Sequence, residues 1–286
     1  MKKKILLTGS SGFIGSYFLD NYQDIYDIST FSLQNAQIEH IDFSTIDTVV
    51  HLAALVHQMS GVDDIRDYYS INIDYTITLA KKAKENGVKH FVFMSSVKVY
   101  GEENDTAYTE DSPTNPQDDY GKSKLEAENE LLKLQDSNFD ISIIRTPIIY
   151  GANVKANLLN LARLVYKTPI LPFGGIDNRR SMVYIGNLCD MISKIIDLKI
   201  NGIFLAKDST LSTSELIRLI AKGFDKDIVL VNIPFLKDLI RLIKPNIYKR
   251  LFLNLEVNNQ KTIDKLNFKP RFDTQYGIKQ LCKNIK

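Results

Sequence analysis

Two rhythms of apolar residues run along the chain. In the first half, short and nearly continuous apolar runs predict strands over residues 5–8, 25–29, 38–41, 49–53, 88–95 and 141–145. Between them, apolar positions spaced three and four apart predict helices over residues 13–21, 72–85 and 123–134. Strands that do not alternate with polar residues are buried on both faces, as in a parallel sheet covered by helices on each side. The expected class is therefore α/β, with a parallel sheet and helices on both faces.

Beyond Gly151 the units lengthen and the alternation fades. Helices are expected over 158–166 and 188–198, with short strands over 170–173, 182–185 and 204–206. Ser212 or Ser214 can cap a helix that runs to 221, with Glu215 in its first turn. Apolar spacing at Leu236, Leu239, Ile240 and Ile243 predicts a helix that Pro245 interrupts, and helical patterns recur over 262–266 and 276–282. The expected division is a dinucleotide-binding domain over 1–152 and a mainly substrate-binding lobe over 153–286, with about 180–206 returning to the sheet. A polar, carboxylate-rich connection over 100–119 holds Pro113 and Pro116, and loops of that length in compact domains are usually functional.

Composition narrows the partners. With 36 basic and 34 acidic side chains the net charge is +2, so charge alone indicates neither nucleic acid nor an anionic membrane. A hydrophobic content of 44% in 286 residues excludes a disordered chain and allows a full-size core. Cys189 and Cys282 sit among apolar neighbours, which predicts free, buried thiols in a reducing compartment. Lys2, Lys3 and Lys4 mimic the start of a signal peptide, yet only Ile5, Leu6 and Leu7 follow before polar residues. No apolar run approaches the roughly 18 residues of a membrane span, so a cytoplasmic protein without an integral membrane segment is expected.

His40, His51, His57 and His90 lack metal-ligand spacing, and no metal site is expected; His57 is a candidate to face a substrate. Residues 236–252 interleave apolar positions with Lys237, Arg241, Lys244, Lys249 and Arg250. That pattern suits a helix packed on its own domain with a solvated basic face, or one lying on a membrane; Pro245 weakens the second reading.

The chemistry concentrates in two places. Gly9, Gly12 and Gly15 follow the first strand at spacing three and open the first helix. Glycines there permit a tight turn, a close approach of backbone to a pyrophosphate, and close packing of helix on sheet, while unpaired amides at the helix start favour an anion. Tyr120 and Lys124 are four apart and share a face if the helix has begun there; Lys122 is excluded only by that face argument. An ammonium beside a phenol favours the phenolate, and Ser95 or Ser96 at the end of the fifth predicted strand can donate to the same substrate oxygen.

These motifs, with His51-Leu52-Ala53-Ala54, Ser96-x-x-Val99-Tyr100-Gly101 and Arg180-Ser181-Met182-Val183-Tyr184-Ile185, resemble the extended short-chain dehydrogenase/reductases of the nucleotide-sugar epimerase/dehydratase group. The resemblance spans most of the chain and implies a Rossmann-type sheet with a smaller C-terminal substrate lobe. It implies that Tyr120 exchanges a proton with the sugar O4, that Lys124 holds the nicotinamide ribose, and that Ser96 binds the same oxygen. The implied cofactor, NAD or NADP, would meet Gly9, Ser11, Gly12, Phe13, Ile14, Gly15, Ser29, Asp42, Phe43, Leu52, Ala53, Ala54, Asn72, Ser95, Pro147 and Ile148. Ser96, Val97, Tyr120, Asn157, Arg180 and Arg250 would meet a UDP-linked hexose, and a homodimer through the helices over 72–85 and 123–134 is implied by the same likeness.

Departures from the family pattern sharpen the function. Ser29-Thr30 stands where an NAD enzyme has a carboxylate for the ribose diol, unless Asp27 serves, which leans toward NADP. Val97-Lys98 replaces the Asp-Glu pair of the 4,6-dehydratases, which leaves C4 epimerisation or one-way reduction of a 4-keto sugar. The segments His51 to His57 and Ile176 to Ser181 resemble bacterial polysaccharide enzymes of both kinds. The short chain favours the reductase, acting on a UDP-4-keto-6-deoxy-N-acetylhexosamine for surface polysaccharide synthesis, over a UDP-GlcNAc or UDP-Glc 4-epimerase. The third reading is a non-catalytic dinucleotide-binding regulator.

Overall fold

The structure, a computed structural model, describes residues 2–32, 38–54 and 70–285, with backbone only at 70 and 71. In chain order the strands are β1 (Lys4–Thr8), β2 (Asp27–Phe31), β3 (Thr48–His51), β4 (His90–Ser96), β5 (Asp140–Thr146), β6 (Ile148–Tyr150), β7 (Ile170–Leu171), β8 (Arg180–Tyr184), β9 (Gly202–Leu205), β10 (Ser209–Leu211) and β11 (Val229–Leu230). The helices are α1 (Phe13–Tyr22), α2 (Tyr75–Glu85), α3 (Asp119–Leu134), α4 (Ala156–Lys167), α5 (Ile185–Leu198), α6 (Thr213–Gly223), α7 (Leu236–Ile243), α8 (Pro245–Phe252), α9 (Gln260–Leu266) and α10 (Thr274–Cys282).

Six strands pair in parallel in the order β2-β1-β3-β4-β5-β9. Their continuous apolar runs divide by parity. Ile5, Leu7, Val92, Met94 and Ile144 join one core with Phe18 of α1 and Leu188 and Ile192 of α5. Leu6, Phe91, Phe93, Ile141 and Ile143 join the other core with Leu79 and Ala83 of α2 and Ala127 and Leu131 of α3. Period-two side-chain alternation thus requires apolar residues at every strand position, because each face has its own helical layer.

The order reverses between β1 and β3, since β2 lies on one side of β1 and the later strands on the other. At such a reversal the connections diverge above the carboxyl edge and leave a crevice, the place where open α/β sheets bind ligands. A second sheet is formed by β10, β8 and β6, with β8 antiparallel to β10 and parallel to β6.

Two strand expectations are corrected. Residues 38–40 form a single tight 3-10 turn rather than a strand, with Ile38 buried under the sheet face. β2 lies two residues later than the apolar pattern indicates, because Asp27 pairs with Lys4 and Phe31 with Thr8. The carboxylate-rich connection over 100–119 is tied to residues 254–262. Asn104 N–H donates to the Asn254 carbonyl, Tyr108 and residues 256–258 exchange backbone bonds, and the buried Glu110 accepts from Thr262 Oγ1 at 2.5 Å. Cys189 and Cys282 are free and buried, as expected.

Candidate active site at the carboxyl edge of the sheet

The turn after β1 is built by close contact. Gly9 adopts φ +71°, and a Cβ on it would lie 2.7 Å from the Ala53 amide nitrogen. A Cβ on Gly15 would lie 2.1 Å from the Gly9 carbonyl oxygen, so the first turn of α1 rests on the loop itself. Gly12 caps α1 without a side-chain hydrogen bond, and no acid occupies the first turn. Ser11 and Gly12 are exposed, and the Gly9 carbonyl, 3.1 Å away, is the nearest atom a Gly12 Cβ would meet. A helix start without a side-chain cap, behind a turn with glycine at 9 and 12, suits a pyrophosphate, so these residues fit a dinucleotide.

A buried polar chain fixes this turn against the next element. Thr8 Oγ1 lies 2.7 Å from His51 Nδ1, and His51 Nε2 lies 2.9 Å from Thr76 Oγ1. Thr76 donates its hydroxyl hydrogen to the Asn72 carbonyl at 2.9 Å, so it accepts from His51. That assigns the proton to Nε2 and leaves Nδ1 to accept from Thr8, whose oxygen receives the Ala53 amide at 3.4 Å. Burial pushes the His51 pKa down to about 3, so the ring stays neutral and its directional bonds persist at ordinary pH.

The same chain reaches α3. The buried Asn72 side chain donates to Ser123 Oγ at 3.2 Å, and Ser123 donates to the Tyr120 carbonyl at 2.9 Å. The helix begins at Asp119, four residues earlier than its apolar spacing suggests, because Asp118 caps it by accepting from the Gly121 amide at 2.7 Å. Tyr120, half-buried, and Lys124, buried, therefore both lie in helical backbone and one turn apart. Lys124 Nζ donates to the Met94 carbonyl at 2.8 Å and sits 4.4 Å from the Phe93 ring centroid. Burial lowers its pKa to about 7, opposed by the Glu128 carboxylate one turn further on.

Ser96 ends β4 on the partly exposed side, where its hydroxyl accepts from the Lys98 amide at 3.2 Å. Thr146, Pro147 and Ile148 continue the edge at the end of β5. Ser96 thus ends β4, Lys124 is anchored on the same strand two residues before it, and Tyr120 precedes Lys124 by one helical turn.

The sequence pattern of the NAD dependent epimerase/dehydratase family matches residues 5–204. The chain belongs to this family. It is accordingly an enzyme, and its cofactor is a nicotinamide dinucleotide, NAD or NADP. A protein of Vibrio cholerae described as UDP-glucose 4-epimerase is 38% identical over 98% of this chain and 94% of its own length. A protein of Escherichia coli O157:H7 described as N-acetyl-alpha-D-glucosaminyl-diphospho-ditrans,octacis-undecaprenol 4-epimerase is 30% identical over 67% of this chain and 62% of its own. The fold matches that of UDP-glucuronic acid 4-epimerase from Bacillus cereus in complex with NAD, with a TM-score of 0.78 at 21% identity over 99% of this chain and 98% of that one.

Several of the family's cofactor positions hold side chains with other duties here. Ser29 lies inside β2 opposite Leu6, its hydroxyl on the Ile5 carbonyl, two residues short of the edge. Asp27 is at the far end of the strand, so the carboxyl-edge positions of β2 are Phe31 and Ser32, neither acidic. Ser95 points away from Ser96 and donates to the buried Glu128. Phe43 and Val97 are buried in packed clusters, which leaves only their backbones for a ligand. Asp42 is exposed and accepts from the Ser44 amide, and Leu52, Ala53 and Ala54 are partly exposed after β3. His57 lies outside the described residues.

In the second lobe, Asn157 is exposed in the first turn of α4. Arg180 begins β8 partly buried; Nη1 donates to the carbonyls of Lys249 and Leu253, at 3.4 and 3.2 Å, and the buried Nε has no hydrogen-bond partner among the described residues. Burial lowers its pKa to about 10, and the nearby exposed Arg250 adds to the effect. Arg179 is held instead by Glu256 in a two-point ion pair.

The residues missed from the sequence are those that brace the reactive ones. Lys98 joins Glu102, at 3.1 Å, and Asp118. Glu128, eight residues after Tyr120 on the same helical face, pairs with buried Arg145 at 2.5 Å, and Arg145 lies 4.6 Å from the Tyr100 ring centroid. The Tyr120-Lys124-Glu128 spacing was available as a signal; the partner across the sheet was not.

Proposed function

We propose that the chain interconverts the C4 epimers of a UDP-linked hexose with bound NAD. The observation that supports the reading is that Tyr120 and Lys124 lie one turn apart in α3, with Lys124 bound to the Met94 carbonyl of β4, the strand that ends at Ser96. In this reading Tyr120 takes the O4 proton of the sugar and returns it, Ser96 holds the same oxygen, and Lys124 holds the ribose. The glycine turn takes the pyrophosphate, with Leu52, Ala53, Ala54, Pro147 and Ile148 along the walls. The nicotinamide, when bound, supplies two-electron redox chemistry at C4. Arg180, with Asn157 and Arg250, meets the diphosphate, for which the planar guanidinium offers paired donors.

Likeness to the Vibrio protein over nearly the whole of both chains supports epimerisation. Chain length no longer favours the reductase, since 94% of that relative is covered. One observation favours a second reading, reduction of a UDP-4-keto-6-deoxy-N-acetylhexosamine. With Phe31 and Ser32 there, the end of β2 itself offers no carboxylate against the 2′-phosphate of an exchanging NADPH.

Incubation with UDP-glucose or UDP-GlcNAc should give a mixture of C4 epimers without net consumption of nicotinamide. Stoichiometric oxidation of NADPH by the keto sugar, with no epimerisation, would establish the reductase instead. Tyr120→Phe should abolish either conversion and leave dinucleotide affinity within about twofold. Normal turnover in that variant would remove Tyr120 from the mechanism.

A further inference from the structure

The helices α7 and α8 expose an apolar stripe that the fold does not use. Neither helix has a buried residue. Phe235 and Leu242 are each 83% exposed, Ile243 60% and Leu239 53%, and Ile247 of α8 continues the apolar surface. Positions 239, 242 and 243 fall on one side of α7 by the three-and-four spacing of a helix, Phe235 stands exposed at the residue that precedes it, and Leu236 and Ile240 are the half-covered positions. The approach to α7 is of the same kind, with Val231 and Ile233 exposed before Phe235. An apolar surface of this continuity, with side chains this large, marks a contact.

Charge identifies what the contact meets. Residues 236–252 carry Lys237, Arg241, Lys244, Lys249 and Arg250 against a single acid, Asp238. On α7, Lys237 and Arg241 fall on the side opposite Leu239 and Leu242, the basic polar face of a helix that lies in a lipid interface. An anionic surface with an apolar interior answers both halves of the pattern. Pro245 does not oppose this, because it occupies the first position of α8, where proline is tolerated, and so divides the segment into two short helices.

We propose that the α7–α8 pair docks the protein peripherally on an anionic lipid bilayer, with Phe235, Leu239, Leu242 and Ile243 entering the interface. Among the described residues no helix is long and apolar enough to cross a membrane, so the contact is one of surface. None of the four apolar residues that would enter the interface belongs to the sugar site proposed above.

The test is co-sedimentation of the full chain with vesicles of phosphatidylcholine containing about 30% phosphatidylglycerol, at about 0.05 and 0.5 M salt. Binding should be strong at low salt, and roughly tenfold weaker at high salt or on phosphatidylcholine alone. A Leu239→Glu/Leu242→Glu variant should lose about tenfold or more in binding while turnover of a soluble nucleotide sugar is unchanged. The chain contains no tryptophan, so Leu242→Trp supplies a single reporter whose emission should shift to the blue on anionic vesicles. Failure to sediment, binding equal in the diglutamate variant, or an unshifted reporter would each overturn the proposal. A halved solution mass of the diglutamate variant by light scattering would overturn it too, by assigning the face to a second copy.

Discussion

Lys98, in the turn after β4, is ion-paired with Asp118, the residue that caps α3. Asp118 uses its other oxygen on the Gly121 amide, and a Cβ on Gly121 would lie 2.9 Å from the Lys98 carbonyl. Tyr120 sits between these two points, so its backbone is set by the loop that begins at Ser96. Lys98→Met should lower kcat about tenfold, or about 1.4 kcal/mol in the barrier, with nicotinamide affinity nearly unchanged. Steady-state kinetics beside a dinucleotide titration check this. In a Lys98→Met/Asp118→Asn double variant, kcat should fall little below that of Asp118→Asn alone, because Lys98 acts through Asp118. Wild-type kcat in Lys98→Met would disconnect the pair from catalysis.

The same lysine shows where sequence reading stops. The pattern around it was legible: Val97-Lys98 departs from the dehydratase carboxylates, spacing offered the glycines and the Tyr120–Lys124 pair, and the family likeness chose Ser96 over Ser95. Spacing reports what one element presents on one face. It does not report that Lys98 and Asp118, twenty residues apart, meet across a loop. The misplaced start of β2 has a related cause. Ile25 and Tyr26 continue the apolar run, yet Tyr26 is tied to Ser193 of α5, so tertiary packing ends the turn and delays the strand.

Gly15 offers a test of the phosphate turn that does not touch the reactive groups. A methyl on Gly15 would overlap the Gly9 carbonyl, and backbone, unlike a long side chain, has little room to give. Gly15→Ala should therefore push α1 off the loop and weaken dinucleotide binding by about 100-fold or more, roughly 3 kcal/mol. Calorimetric titration with NAD and NADP measures it. Tight binding retained by Gly15→Ala would exclude this turn as the pyrophosphate site.

Glu128 and Arg145 form a buried pair, with side chains 1% and 4% exposed, and Ser95 donates to the same carboxylate. Glu128→Gln leaves the guanidinium buried without a counter-charge, which should cost about 3–5 kcal/mol of folding stability. Glu128→Gln/Arg145→Met should recover a large part of that loss, because no unpaired charge remains. Urea unfolding of the two variants checks the sign. Equal stability of both would mean that water reaches the pair and screens it.

Lys124 makes the stability of the cofactor-free enzyme depend on pH in a window of its own. Its pKa falls from 10.5 in the unfolded chain to about 7 in the fold, chiefly through burial. Between these values the unfolded chain binds more protons than the native one, so stability rises with pH. His51 and His90 are held down to about 3 and about 4 by burial, so their contribution rises with pH only up to the ordinary histidine value near 6.5. Burial raises the pKa of Cys189, and that of Cys282 to about 12, so their contributions run the opposite way, and only from about pH 9. From about pH 7 to 8.5, therefore, wild-type protein should gain on the order of 1 kcal/mol, and Lys124→Met should not. Urea unfolding at the two pH values, with and without the substitution, isolates the term. An equal gain in Lys124→Met would mean that the native lysine keeps its proton throughout, and that its buried ammonium is balanced by Glu128.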